Sequence, residues 1–600
     1  MLAFVVVMAM VVGLIGFRLI TVQVVDREQY VAYGESQRDG FRTLPASRGA
    51  IYDRNGQAFA MSVAQPRVIA DPSQVRHPIK TSRALASILG LDAAEVEADL
   101  RADTRYRVIA TGISDEQAAA IGEAKGEGDI EGITLDDEYV RSHPNGDLAL
   151  AVIGNALADG QTDDEGRTGG ISGIERAHDG VLAGKPGKYF YEQDVSGNPI
   201  AGGDRDLEAA QQGADLYLTL DQSLQYEAER SLAAEVEASG ADSAQAVIMR
   251  PSTGEILAMA SVAVDDDGNA VNTRDNRPVT AVFEPGSVNK MITVAAALEE
   301  EIVTPETVFN VPDSLQIYDA EFNDSHPHPP TDLNTAEIFF TSSNIGTIKI
   351  AQELGKDNVD QYLRAFGFGE TTGLGFPAEE DGIMKSVDEW SGVDIGTMPI
   401  GQGISVTALQ MLAAYNVVAN DGIYVGPKLV GATDIGAGQV PSEPTAGRRV
   451  ISADTAAKMR AMLAQVVSEG TGNAAAIPGY EAAGKTGTSR IAQGSDGEDG
   501  YLDENGNYRY DASFVGMVNG ADLSILVTVR DPKTSIYGGD IAAPVFAHLA
   551  ATALRRYQVP PPAILDAAHH AIPDVSASAR ELNNELDRED VAGASSGAQG

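Results

Sequence analysis

The first 25 residues constrain everything that follows them. Residues 1–17, MLAFVVVMAMVVGLIGF, hold no charged side chain. After Arg18 come seven more residues without an acid, Leu19 to Val25. A helix of that length and apolarity crosses most of a bilayer core, with Arg18 snorkelling toward the far interface. A cleavable signal peptide competes with this reading, but no small-x-small cleavage site follows, and an uncleaved anchor is favoured. A buried core helix is the third possibility. Residues 1–25 are therefore expected to be a transmembrane anchor, and the protein to sit in the cytoplasmic membrane as a single-pass protein with its remainder extracytoplasmic. A basic flank normally precedes such a span on its cytoplasmic side. None is present, so the natural start is expected upstream of Met1.

Composition narrows the class further. At 600 residues the chain exceeds one hydrophobic core, and two to four domains are expected. Cysteine is absent, which excludes disulfides, Cys-ligated zinc and Cys nucleophiles and fits an exported protein. The formal net charge of −44 repels nucleic acid and anionic lipid, and argues against a nucleic-acid partner.

The pattern along the chain suggests four segments. Residues 26–215 read as a structural module; within it, Arg48-Gly49-Ala50-Ile51-Tyr52-Asp53-Arg54-Asn55-Gly56 places an Asn-Gly turn between apolar runs, a hairpin signal. Ala177 to Lys188, rich in glycine, reads as a connector. Residues 216–558 change in texture. An amphipathic helix from Asp221 to about Ser239 carries Leu224, Ala228, Leu232 and Val236 on one stripe. Strand-like runs follow at Ala246–Met249 and Ile256–Ala260, and again far downstream at Ala482–Ser489, Ser513–Val518 and Leu523–Val529, the last two joined by Asn519-Gly520. Residues 285–470 between them read as mainly helical, and a final helix spans Ile541 to about Tyr557. The expected fold is thus an α/β (α+β) domain, an antiparallel sheet flanked by helices and split by a helical subdomain. Residues 559–600 are an acidic tail whose poor apolar content after about 577 argues for disorder. Residues 493–510 read as a long acidic, Gly-rich loop.

Three strings carry chemistry: Ser287-Val288-Asn289-Lys290, Ser342-Ser343-Asn344 and Lys485-Thr486-Gly487-Thr488, with their first residues 55 and 143 positions apart. Glu284-Pro285-Gly286 punctuates the entry to a helix marked by Val288, Met291, Ile292, Ala295 and Leu298. Ser287 then lies at its N-terminus, where free N–H groups favour a developing anion, and Lys290 lies one turn on. A serine hydroxyl needs an adjacent base, and a lysine made neutral by burial or a second cation serves. Alone, this string is also compatible with a capping serine and a solvated lysine. Ser342-Ser343-Asn344 lies at a helix–helix junction, before the stripe Ile345, Ile348, Ala351; an ordinary capping turn is the plain alternative. In the third string, strand alternation puts Lys485, Gly487 and Ser489 on one face and Thr486 and Thr488 on the other. A lysine among hydroxyls receives a carboxylate well, and a glycine admits close approach; the plain alternative is an edge strand guarded by a lysine. The ordered conjunction of all three outweighs the plain reading of each, and points to acyl transfer through a serine ester.

These strings resemble the class B penicillin-binding proteins, monofunctional peptidoglycan D,D-transpeptidases. Phe283-Glu284-Pro285-Gly286-Ser287-Val288-Asn289-Lys290 is similar to the serine motif of division-type, notably actinobacterial, members. Arg48-Gly49 with Asp53-Arg54-Asn55-Gly56 resembles the start of their pedestal, or dimerisation, domain, and Gly401-Gln402-Gly403 a stretch near their cleft. The resemblance spans about residues 1–556; no glycosyltransferase module or PASTA-type repeat is apparent. It implies that Ser287 attacks the penultimate D-Ala carbonyl of a stem peptide ending in D-Ala-D-Ala and expels the terminal D-Ala. Lys290 would be the base and Ser342 the relay to the leaving amine, tuned by Lys485. Asn344 would hold the substrate amide. Thr488, with Thr486 and Lys485, would clamp the terminal carboxylate on a strand opened by Gly487. The Ser287 and Thr488 N–H groups would form the oxyanion hole. No metal or organic cofactor is implied. β-Lactams are the implied inhibitors, and a membrane glycan polymerase and divisome proteins the implied partners. Septal synthesis is the favoured role and elongation the runner-up. A D,D-carboxypeptidase or β-lactamase shares the acylation chemistry, and a divisome scaffold is the non-enzymatic alternative.

Overall fold

The computed structural model describes residues 1–28, 38–157, 169–194, 200–203, 205–493, 500–503 and 505–561. Nearly all of the expected tail, and residues 494–499 and 504 of the expected 493–510 loop, lie outside the described residues. Leu2–Ile20 is α-helical, and Thr21–Val25 continues it as a wider turn. These 24 residues form one helix long and apolar enough to cross a membrane.

The pedestal is built on long strands. Ala58–Ala70 pairs with Ile133–Ser142 along ten residues, forming an extended ribbon. The Asn55-Gly56 turn joins Ile51–Tyr52 to Ala58–Ala70 as an antiparallel pair. Its geometry is fixed by the buried Asp53 carboxylate, which accepts the Asn55 and Gln57 N–H groups at 2.7 and 2.8 Å. Arg48 reaches across the module to Glu175, and its Nη1 lies 2.6 Å from Asp179; Arg141 donates to the same fully buried Glu175 at 2.6 Å. Buried charges need this kind of mutual pairing to be tolerated. The boundary expected between residues 215 and 216 falls inside the strand Asp215–Leu218. That strand pairs with Ile51–Tyr52 on one side and with Val430–Asp434 on the other, so one sheet runs through both parts of the chain.

The part of the chain after residue 216 is organised by a six-stranded antiparallel sheet. Its strands are β1 (Ser243–Met249), β2 (Ile256–Val264), β3 (Ala270–Asn272), β4 (Ala482–Arg490), β5 (Tyr510–Val518) and β6 (Ser524–Arg530), in the spatial order β3-β2-β1-β6-β5-β4. Both faces are covered, which explains strands that are apolar almost throughout. On β1, Ala244, Ala246 and Ile248 face one core while Val247 and Met249 face the other. The first core is closed by α1 (Gln222–Ser239), capped by Asp221, whose Leu224, Ala228, Leu232 and Val236 stripe is buried.

The inserted subdomain supplies α2 (Lys290–Glu299), α3 (Thr335–Phe340), α4 (Asn344–Leu354), α5 (Ala408–Ala419) and α6 (Ala453–Ser468). It is less purely helical than its composition suggests. The short strands Ser314–Ile317 and Ala320–Asn323 form a hairpin beside the cleft, and Val308–Val311 pairs with Thr331–Asn334. The chain returns through β4–β6 and ends the domain with α7 (Gly538–Arg556), which begins three residues before the expected Ile541 and packs on β5 and β6.

Candidate active site

Ser287 sits on a single 3₁₀ turn, Gly286–Asn289, that feeds directly into α2. Gly286 is left-handed, with φ of +57°, and donates its N–H to Gly401 O at 3.0 Å. Three further bonds bolt the turn down. Asn289 Nδ2 donates to Met398 O at 2.9 Å, Thr293 Oγ1 to Pro399 O at 3.0 Å, and Tyr415 OH to Val288 O at 2.9 Å. The nucleophile is thereby held on rigid structure, with Ser287 lining a cleft of about 860 Å³ between the sheet and the helical subdomain.

One turn along α2, Lys290 is fully buried. Its amine donates to Ser342 O at 2.6 Å and to Asn344 Oδ1 at 2.7 Å, and lies 3.2 Å from Ser342 Oγ. Among the described residues, no hydrogen bond joins it to Ser287. The amine thus faces three oxygens as a donor; when neutral it has two N–H donors for the two closer ones and a lone pair left over to take a proton. Burial pushes the amine down to about 7, against a smaller opposing pull from the Asp324 carboxylate. Lys485, also fully buried, is held well below its ordinary value by burial first and by the Lys290 charge second.

Ser342 occupies the left-handed region, with φ of +63°, which is costly for a residue bearing Cβ and often marks function. It lies between α3 and α4, where Ser343 caps α4 by accepting from Gly346 N at 2.9 Å. Asn344 spends its other amide end on Asn323 O, at 2.9 Å, tying the second motif to the hairpin.

The third motif is on β4, an edge strand of the sheet. Thr486 and Thr488 line the cleft, as alternation predicts for a shared face. Gly487 is required by proximity: a Cβ there would meet Ser513 Oγ at 2.3 Å and Pro285 O at 3.2 Å. The strand can thus lie against the Ser287 turn. Every residue of the three strings is therefore brought to one place, as cleft wall or as buried support.

Thr471 and Asp324 went unnoticed in the sequence, and Glu284 was read there only as part of the serine motif's entry. Thr471 shares a 2.7 Å hydroxyl–hydroxyl hydrogen bond with Thr486 and lines the cleft. Glu284 accepts Gly403 N–H at 2.9 Å and the Tyr501 hydroxyl at 2.9 Å, which joins the segment after β4 to the serine motif. Asp324 caps α4 by accepting Ile345 N–H at 3.0 Å. A signal existed only for the last: Asp324-Ser325-His326-Pro327-His328 concentrates two of the chain's 8 histidines beside an acid.

Comparison with known proteins agrees with this geometry. A model of the penicillin binding protein transpeptidase domain matches residues 244–551, and one of the penicillin-binding protein dimerisation domain matches residues 43–218. The chain belongs to the penicillin-binding proteins. This penicillin-binding protein is 32% identical to penicillin-binding protein PbpB of Mycobacterium tuberculosis, over 87% of its own chain and 81% of the relative. It is 30% identical to the peptidoglycan D,D-transpeptidase FtsI of Escherichia coli, over 91% and 90% respectively. Among solved structures, penicillin-binding protein 3 of M. tuberculosis complexed with aztreonam superposes with a TM-score of 0.64 at 28% identity, covering 87% of this chain and 99% of that one. This penicillin-binding protein is a serine-type D,D-transpeptidase.

Proposed function

We propose that the protein cross-links peptidoglycan stem peptides at the division septum, through an ester on Ser287. A stem peptide ending in D-Ala-D-Ala lies in the cleft with its terminal carboxylate toward Thr486 and Thr488. Ser287 Oγ attacks the penultimate D-Ala carbonyl as its proton passes to the Lys290 amine. The tetrahedral oxygen is stabilised by the Ser287 and Thr488 N–H groups, an arrangement worth several kcal/mol in acyl-transfer enzymes. The proton then moves through Ser342 to the departing amine, the carbonyl–nitrogen bond breaks, and terminal D-Ala leaves. An amine from a neighbouring stem attacks the ester, forms the cross-link and restores the Ser287 hydroxyl. Asn344 holds the substrate amide, and Lys485 biases the lysine pair toward a neutral amine by charge repulsion. β-Lactams imitate the donor and leave Ser287 acylated.

The observation that carries this reading is the buried Lys290 amine, hydrogen-bonded to the second motif one turn from a cleft-lining serine. The N-terminal helix would anchor the protein in the cytoplasmic membrane with the cleft outside, where wall peptides and a membrane glycan polymerase are met. Fluorescent penicillin should label the wild-type chain and leave Ser287→Ala unlabelled. Labelling of the alanine variant at a comparable rate would refute the assignment.

A further inference from the structure

The second motif is held from behind by a group that none of the three strings contains. Asp324 directly follows the strand Ala320–Asn323, and its side chain is only 9% exposed. One carboxylate oxygen accepts the backbone N–H groups of Asn344 and Ile345. The other accepts the Ser343 hydroxyl at 2.7 Å and lies 3.1 Å from His328 Nε2. His328 is constrained in turn. Its Nδ1 lies 2.9 Å from Pro329 O, and its backbone N–H donates to Asp313 Oδ1 at 2.9 Å. Each ring nitrogen thus faces an acceptor that carries no proton, a carboxylate at one end and a carbonyl at the other. A neutral imidazole has a single N–H and satisfies one of them; only the imidazolium satisfies both.

We propose that the Asp324–His328 ion pair is the positioning device of the acyl-transfer site: it clamps the first turn of α4 and thereby holds the Ser342 hydroxyl and the Asn344 amide against Lys290. Ser342 needs such a clamp, because its left-handed backbone is not a conformation serine adopts unaided. When His328 loses its proton, a ring lone pair faces either Asp324 or Pro329 O. The clamp then loses a charge-assisted hydrogen bond and turns repulsive at one end. The charged groups around this ring are Asp324 and Asp313, which favour the imidazolium, while Lys290 on the far side of Asp324 draws on the same carboxylate. His326, next along the segment, is engaged by Ser325 Oγ at 3.1 Å. The Pro329 carbonyl first, and Asp324 after it, hold His328 above its ordinary value.

The inference rests on Ser287 and Lys290 acting as proposed above. It predicts a bell. Penicillin acylation should rise with pH as Lys290 gives up its proton, and fall with pH as His328 gives up its own. His328→Gln should lower the plateau by roughly tenfold and abolish the falling limb. Asp324→Asn should slow acylation by roughly a hundredfold and move the rising limb to lower pH, since the charge favouring protonated Lys290 is gone. The measurement is the second-order acylation rate of the purified full-length chain between pH 5 and 10, with thermal melting of each variant alongside. A wild-type bell retained in His328→Gln overturns the proposal, as does an Asp324→Asn variant that is slower with an unmoved rising limb. His328 lies at the surface, so its variant decides the matter if Asp324→Asn fails to fold. Labelling of Ser287→Ala would instead overturn the site assignment beneath it. An unlabelled Ser287→Ala together with an unchanged bell in His328→Gln overturns the clamp alone.

Discussion

In the proposed mechanism, Lys290 can act as the base because it is buried. Desolvation brings its amine to about 7, so near neutrality it is divided between a form that accepts a proton and one that gives it back. Lysine suits this role because its charge is a compact point that burial readily neutralises, whereas arginine stays charged at any working pH. Lys290→Arg should keep the positive charge and lose the base. Penicillin acylation is expected to fall by about 10²–10⁴-fold, the usual worth of a general base, measured as the second-order labelling rate. A loss of less than about tenfold would mean that the amine serves only to hold the second motif. The identity of Lys290 was legible in the spacing from Ser287, but its hydrogen bonds were not. Ser342 and Asn344 lie 52 and 54 residues away, and no local pattern announces that their oxygens close around one amine.

At the scale of elements, the serine turn is shaped by a neighbour far along the chain. Gly401 has φ of +78°, and a Cβ on it would meet Gly286 O at 2.3 Å and Gly286 N at 2.6 Å. Gly401→Ala would have to push the 3₁₀ turn away or leave its own conformation. The expected result is a stability loss of about 1–3 kcal/mol in denaturant titration, with acylation slowed by at least about tenfold because Ser287 is displaced. Unchanged acylation would show that the turn holds its shape without this contact. The elements themselves were well marked: α1 by its apolar stripe, β4 to β6 as strand-like runs, the last two joined by Asn519-Gly520. The hairpin Ser314–Ile317 with Ala320–Asn323 was not. Its strands are four residues each, with no run of β-branched residues, and they gain order by closing one wall of the cleft.

The whole molecule is joined where α1 meets the pedestal. Glu229, in the middle of α1, accepts Ala149 N–H from the pedestal at 2.8 Å and Gln225 Nε2 at 2.7 Å, and pairs with Asn272 Nδ2. Burial raises its carboxyl from the ordinary carboxylate range to about 7, overcoming these hydrogen bonds. The native state therefore binds the proton more tightly than the unfolded chain. The associated stability is fully present below the unfolded value and is lost as pH rises through about 7. A displacement of this size corresponds to about 3 kcal/mol. Glu229→Gln, which carries no charge to bury, should melt like the wild type at pH 5 and above it at pH 8. Parallel melting curves for the two proteins across that range would exclude the effect.

What the sequence determined alone were the features set by neighbours along the chain. These are the apolar N-terminal helix, the stripe of α1, the short apolar runs of the sheet strands, and three motifs in order whose side-chain chemistry implies an acyl-serine enzyme. Each depends on local periodicity or on the intrinsic reactivity of a side chain, and both can be read without coordinates. Tertiary structure alone decided how those motifs work together. It buried Lys290 and Lys485 in one place, brought Thr471 to Thr486, laid Gly401 against Gly286, and set Asp324 and His328 behind the second motif. It also ran one sheet through the boundary expected near residue 215. The physical reason is common to all of these. Desolvation, charge coupling and close backbone approach are properties of distance in space, and positions tens to hundreds of residues apart acquire them only when the chain has packed.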